Sequence, residues 1–112
     1  MKYDSVKPIS RSEAEAALAS NDPVRVTDAL VRIAFHESDW RWAQETFLGH
    51  LDNSNPEIRG LAATCLGHIA RIHGEIDRTR VVPALEKLTN DREIGGQAAD
   101  ALEDIEIYAG DV

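Results

Sequence analysis

An internal repeat limits the folds open to this 112-residue chain. The segments PEIRGLAATCLGHI, at 56–69, and REIGGQAADALEDI, at 92–105, align without a gap at a spacing of 36 residues. A fainter copy begins at Asp22. Self-similarity at this period is typical of stacked helical pairs, in which each unit buries its apolar stripe only against its neighbours. The aligned apolar pairs are Ile58 with Ile94, Ala62 with Ala98, Leu66 with Leu102 and Ile69 with Ile105.

Helix start and stop signals divide the chain into six helical segments. Apolar residues recur with helical spacing almost throughout, and no stretch alternates in polarity as a half-buried strand does. The sequence therefore predicts an all-α fold in one domain over 1–112, with flexible ends at 1–9 and 109–112. The expected helices cover about 10–20, 22–35, 39–51 and 55–74, then a fifth from Asp77 or Thr79 to 88 and a sixth over 91–108 that Asp91 caps.

The turn-and-arginine pattern of LDNSNPEIRGLAATCLGHI, at 51–69, resembles the short bacterial form of the HEAT repeat. The resemblance runs from the fainter first copy to the end of the last one. It implies a HEAT-like α-solenoid of about six antiparallel helices. It also implies that Arg59 pairs with an acidic turn residue, either Asp52 or Asp91. Gly95 stands where the last copy would carry the arginine, and terminal repeats are commonly atypical because one side faces solvent.

No constellation typical of catalysis or metal binding is visible in the sequence. His68 and His73 are five residues apart, so they diverge by about 140° and cannot bind one metal from a straight helix. A helical wheel places Cys65 and Ile72 on the core side and Gly60 and Gly67 opposite them, which predicts a buried thiol. We expect His68 to be a half-exposed residue that fills a groove. No nucleophile elbow or phosphate loop occurs, so the sequence predicts no enzyme, no cofactor and no metal.

Charge and composition narrow the classes of partner. The net charge of −8 disfavours nucleic acid and suits a basic protein, whose association it would accelerate. An acidic composition also serves solubility alone. No apolar run could span a membrane, MKYDSVKPIS lacks the features of a secretion signal, and a single cysteine fits a reducing compartment. We expect a soluble cytoplasmic protein that binds neither nucleic acid nor membrane.

The expected third helix suggests a protein-binding surface. Trp42 points about 120–160° away from the core stripe of that helix, and tryptophan is enriched in binding hot spots. Alternatively, the first helix or the N-terminal arm covers it. In HEAT-like stacks the second helix of each pair lines the concave face, and the resemblance makes these the third and fifth helices. The candidate partner-binding residues are Asp39, Arg41, Trp42, Glu45, Gly49, Asp52, Asn53, Glu86, Asn90 and Asp91.

The resemblance implies a function for such a surface. Some small, acidic, single-domain HEAT-like proteins of bacteria resemble immunity partners of polymorphic or contact-dependent toxins. This would mean a complex with the C-terminal domain of a toxin that has a basic surface. A general adaptor or assembly protein is the alternative. A lesser alternative is a protein similar to the lyases that handle bilins, although the apolar groove and positioned acid that such a protein needs are not evident in the sequence.

Overall fold

The computed structural model of the protein describes residues 6–109, and all regular structure within that range is helical. This confirms the predicted all-α class and the number of helices. Of the ends expected to be flexible, 1–5 and 110–112 lie outside the described residues. The helices are α1 (Arg11–Leu18), α2 (Pro23–His36), α3 (Trp40–Leu48), α4 (Pro56–His73), α5 (Arg78–Glu86) and α6 (Gly95–Tyr108).

The helices stack in two layers. In the layer of α2, α4 and α6, which we call the even layer, α4 lies in the centre and contacts both neighbours. In the other, the odd layer, α1, α3 and α5 each pack against the even-numbered helix that follows in the chain. Burial of apolar side chains between the layers drives this stacking. The largest fully buried side chains include Leu30, Phe47, Leu66 and Leu85.

Local signals fix most of the helix ends where the sequence predicts them. Ser10 and Glu13 form the reciprocal capping box at the start of α1. The side chains of Asp22 and Asn55 accept hydrogen bonds at the starts of α2 and α4, each followed by a proline at the first helical position. Gly74 ends α4 in the left-handed conformation, with φ 67°, which glycine adopts without steric cost.

The start of α6 differs from the prediction that Asp91 caps this helix. The Asp91 Oδ1 atom accepts hydrogen bonds from the backbone N–H groups of Glu93 and Ile94. These bonds form a separate turn, and the helix begins only at Gly95. A capping aspartate and a turn-forming aspartate accept from N–H groups at the same two positions, so local sequence does not separate them.

The centre of α4 is buried on more sides than the helical wheel predicts. Gly60 and Gly67, assigned to the outer side, are buried, because α6 packs against them. A Cβ atom on Gly67 would lie 3.0 Å from the Cα atom of Ala101. Ile72, assigned to the core, is instead 59% exposed. It lies in the last turn of the longest helix.

Residues 6–8 run along α2. Arg32 donates hydrogen bonds to the carbonyl oxygens of Lys7 and Pro8, at 2.9 and 2.7 Å. The His36 Nε2 atom lies 2.6 Å from the carbonyl oxygen of Val6. This part of the arm expected to be flexible is therefore held against the fold. No helix between residues 6 and 109 is long and apolar enough to cross a membrane.

Candidate functional site

The ten residues predicted to bind a partner lie on α3, at the end of α5 and in the adjoining turns. We call them the acidic strip. Most are exposed, whereas Trp42, Asn53 and Asp91 are partly buried. The structure gathers them around three arginines, from α1, α4 and α5. These arginines decide how much of the negative charge remains available.

Trp42 is covered by α1, which answers the question that the sequence left open. The side chain is half-buried and packs against the hydrophobic core. The Arg11 guanidinium carbon lies 4.4 Å from the centroid of its ring, at cation–π distance. Arg11 also lies 3.4 Å from Asp39, the N-cap of α3. Trp42 is therefore not a free aromatic anchor, and Arg41 stacks instead over the neighbouring Trp40, at 4.5 Å.

Glu45 is paired within the protein. Both of its carboxylate oxygens accept hydrogen bonds from Arg80 of α5, one of them at 2.9 Å. These bonds hold the pKa of Glu45 below its usual value. Next to it, the buried Gln44 accepts a hydrogen bond from the backbone N–H of Asp77 at 2.7 Å. The two contacts join α3 to α5, and the sequence offered no sign of either.

Asp91 pairs with Arg59, which confirms one of the two partners that the resemblance implied. The Arg59 guanidinium lies 3.2 Å from the Asp91 carboxylate and donates at 3.0 Å to the carbonyl oxygen of Asn53. The pKa of Asp91 is lowered, first by the N–H groups of its own turn and then by Arg59. By contrast, Asp52 and Glu86 form no ion pair within residues 6–109. They are the uncompensated carboxylates of the strip.

A second candidate surface is an apolar groove that crosses the even layer between α2, α4 and the end of α6. We call it the even-layer groove. Its volume is about 610 Å³, within the range of small-molecule pockets. From the sequence we expected no apolar groove, and that expectation is wrong. Nothing local predicts the groove, because its lining comes from three helices that are far apart in the chain. Its walls include Val31, Phe35, Leu61, His68, Ile72 and Tyr108.

His68 lies in this groove as a half-buried side chain, as predicted. Its ring stacks on Phe35 with centroids 4.7 Å apart and an interplanar angle of 12°. The Nδ1 atom lies 3.2 Å from an Arg71 nitrogen and therefore accepts the hydrogen bond, which leaves the proton on Nε2. The Nε2 atom is buried and has no partner among the described side chains and backbone. Burial, followed by the charge of Arg71, lowers the pKa of His68, so the neutral ring is favoured.

The exposed apolar surface is concentrated on the even layer. The four large hydrophobic side chains most exposed between residues 6 and 109 all belong to α2, α4 or α6. Among residues 6–109, Arg71 is the one charged residue that lines the groove. Its side chain is 46% exposed, and its Nε atom lies 3.8 Å from Asp104. The exposed fractions are 75% for Val24, 59% for Ile72, 61% for Ile107 and 50% for Tyr108.

The remaining reactive side chains of the described residues do not form a catalytic or metal-binding centre. Cys65 is buried, as predicted, and burial raises the pKa of its thiol to about 12, so it is not a nucleophile at neutral pH. Within residues 6–109, no three histidine, cysteine, aspartate or glutamate side chains come close enough to hold a metal ion.

The chain is similar in sequence and structure to a solved protein. It matches a chain in the crystal structure of the CDI complex from Cupriavidus taiwanensis LMG 19424, with a TM-score of 0.84 and 33% identity. The match covers 96% of this chain and 97% of the other. No protein-family model matches the sequence, and no curated protein matches it. The resemblance to HEAT repeats thus rests on the repeated residues and on the stacked helices.

Proposed function

This chain belongs to the same protein family as the matched chain of the CDI complex, and on that basis we propose that it is an immunity protein of contact-dependent inhibition. The observation that carries the proposal is 33% identity over nearly the whole of both chains. Supporting it, the chain is acidic, and its surfaces are suited to protein contact. Such a protein would act in the cytoplasm of the cell that produces it.

The mechanism we propose is neutralisation by binding, without chemistry. The immunity protein covers the active site or substrate groove of a toxin C-terminal domain. A toxin that acts on nucleic acid has a basic surface, and a net charge of −8 would speed its encounter with this protein. In the acidic strip, Asp52 and Glu86 remain available for that attraction.

Growth rescue tests this function. The toxin C-terminal domain encoded beside the gene for this protein is expressed from an inducible promoter, with and without this protein. We expect growth arrest by the toxin domain alone and full growth with both proteins. A toxin domain from an unrelated system serves as the specificity control and should still arrest growth. If the neighbouring toxin arrests growth equally in both strains, the immunity function is wrong and the general adaptor is favoured.

One observation favours a second function, the lyase-like alternative. The even-layer groove supplies the apolar site that a bilin would need. Arg71 and a neutral His68 line it, and no carboxylate of residues 6–109 does, so none of these residues supplies a positioned acid. A titration with a bilin followed by visible absorbance distinguishes the two functions. We expect no spectral change, and saturable red-shifted absorbance would favour the lyase.

A further inference from the structure

We infer that the toxin domain anchors in the even-layer groove, with an apolar side chain inserted against Ile72 and a neighbouring carboxylate facing Arg71. The inference rests on the proposed function and adds to it the face that binds and the chemistry of the anchor. The surface predicted from the sequence, the acidic strip, lies on the other layer of the fold.

The distribution of exposed apolar surface supports this face. Soluble proteins rarely expose clustered apolar side chains unless a partner covers them. Ile72 and Tyr108, which line the groove, are 59% and 50% exposed. A smaller hollow of about 480 Å³ adjoins the groove at Val31 and extends the surface to Val24. The acidic strip has no comparable anchor, since Arg11 covers its tryptophan.

The charges in the groove indicate what the partner presents. Although the chain has a net charge of −8, the charged residue that lines the groove in the described part of the chain is the cationic Arg71. It donates one hydrogen bond to His68 and its Nε atom lies 3.8 Å from Asp104, so the guanidinium, which has five N–H donors, retains donors for an incoming carboxylate. An apolar anchor with an adjacent carboxylate complements both the surface and these donors, and a lysine or arginine anchor does not.

The two surfaces then have separate roles. The negative field of the whole chain, including Asp52 and Glu86, attracts a basic toxin and raises the association rate. The groove provides desolvated contact at the centre of the interface, where hot spots occur, and so sets the dissociation rate. This division predicts that variants of the two surfaces change different rate constants.

Surface plasmon resonance with a catalytically inactivated domain of the neighbouring toxin tests the inference. Ile72→Asp and Arg71→Glu should each raise the dissociation rate by about 30-fold or more, the size expected of a hot spot. Ile107→Asp is the matched control, because Ile107 is equally exposed on the even layer and lies outside the groove. We expect its rates to stay within about threefold of wild type. Circular dichroism of each variant checks that it is folded.

Variants of the acidic strip distinguish a wrong binding face from a wrong immunity function. Asp52→Lys with Glu86→Lys should lower the association rate and leave dissociation unchanged. If these strip variants raise the dissociation rate while the groove variants bind as wild type, the inference is overturned and the immunity function stands. If the wild-type protein does not bind the toxin domain, the proposed function fails as well. If Ile72→Asp converts a wild-type dimer into a monomer in sedimentation, the groove is an interface between copies, and the inference is wrong.

Discussion

Arg59 of α4 reaches across to Asp91, and the two side chains meet at 3.2 Å in the turn before α6. Asp91 occupies the position in its repeat that Asn55 occupies in the preceding one. Asn55 caps its own helix, whereas Asp91 closes a turn and receives the arginine of the repeat before it. One side chain therefore orders a turn and joins α4 to the turn that leads into α6.

Two substitutions of Asp91 should separate its role in the turn from its role as the partner of Arg59. Asp91→Asn keeps an acceptor for the N–H groups of Glu93 and Ile94 and removes the charge beside Arg59. Asp91→Ala removes both interactions. We expect the Tm to fall in the order wild type, Asp91→Asn, Asp91→Ala, measured by thermal denaturation at neutral pH. Equal Tm values for the two variants would show that the turn acceptor contributes nothing.

Two glycines of α4 should respond oppositely to alanine. At Gly67 a Cβ atom would lie 3.0 Å from a backbone atom of Ala101, so Gly67→Ala should cost about 1–3 kcal/mol of unfolding free energy. At Gly60 the nearest atoms belong to the exposed end of Gln97, which can move aside. Gly60→Ala should therefore be neutral or stabilise the helix by up to about 1 kcal/mol.

Urea denaturation of the two glycine variants checks this contrast. The helix propensity gained is the same at both positions, so each variant is the control for the other. A stabilised Gly67→Ala protein would contradict the close approach of α4 and α6.

Stability should fall as the pH drops below about 6.5, the ordinary value for His68. Burial lowers the pKa of this ring in the folded protein, so the unfolded chain binds the proton at higher pH. The contribution of the neutral His68 ring to the unfolding free energy is therefore complete above that pH. It is lost as the pH falls toward the pKa of His68 in the folded protein. Paired carboxylates such as Glu45, whose pKa is also lowered, add a further loss in more acidic solution.

The variant His68→Phe isolates the histidine. It retains an aromatic ring against Phe35 and cannot titrate, so the difference in urea midpoint between about pH 7.5 and pH 5.5 should shrink. An unchanged difference would assign the pH dependence to other groups.

Trp42→Ala should act on folding rather than on binding. The ring is half-buried and packs beneath Arg11, so its loss should lower the unfolding free energy by about 2 kcal/mol. Leu66→Ala, at a fully buried position, should cost about 2–5 kcal/mol. Affinity for the toxin, corrected for the folded fraction, should stay within about threefold for Trp42→Ala. A loss of affinity of about 2 kcal/mol or more, the size of a hot spot, with unchanged stability would restore Trp42 to the interface.

The repeat allowed most of the fold to be predicted, because helix caps and apolar spacing are local signals. Ser10, Asn55 and Gly74 act within a few residues of their own helix ends. The start of α6 was placed too early because Asp91 has the local chemistry of a cap and instead forms a turn. Ile72 fitted the apolar stripe of α4 and is nevertheless exposed.

The surfaces were harder to predict, since they depend on contacts between distant residues. The spacing within α3 places Trp42 outside the core stripe, but only the packing of α1 shows that Arg11 covers it. Likewise, Phe35 and His68 come from different helices, and nothing local to either one predicts that their rings stack in a groove. Charge counted along the chain also overstated the acidic strip, because arginines from other helices pair with its carboxylates.

The central claim is that this protein neutralises a toxin by binding it. Isothermal titration calorimetry of the purified protein with the inactivated C-terminal domain of the neighbouring toxin tests it most directly. We predict a 1:1 complex with a Kd of about 10 nM or lower, in the range of specific protein complexes. The absence of binding at about 10 μM of each protein, with both shown to be folded, would contradict the claim.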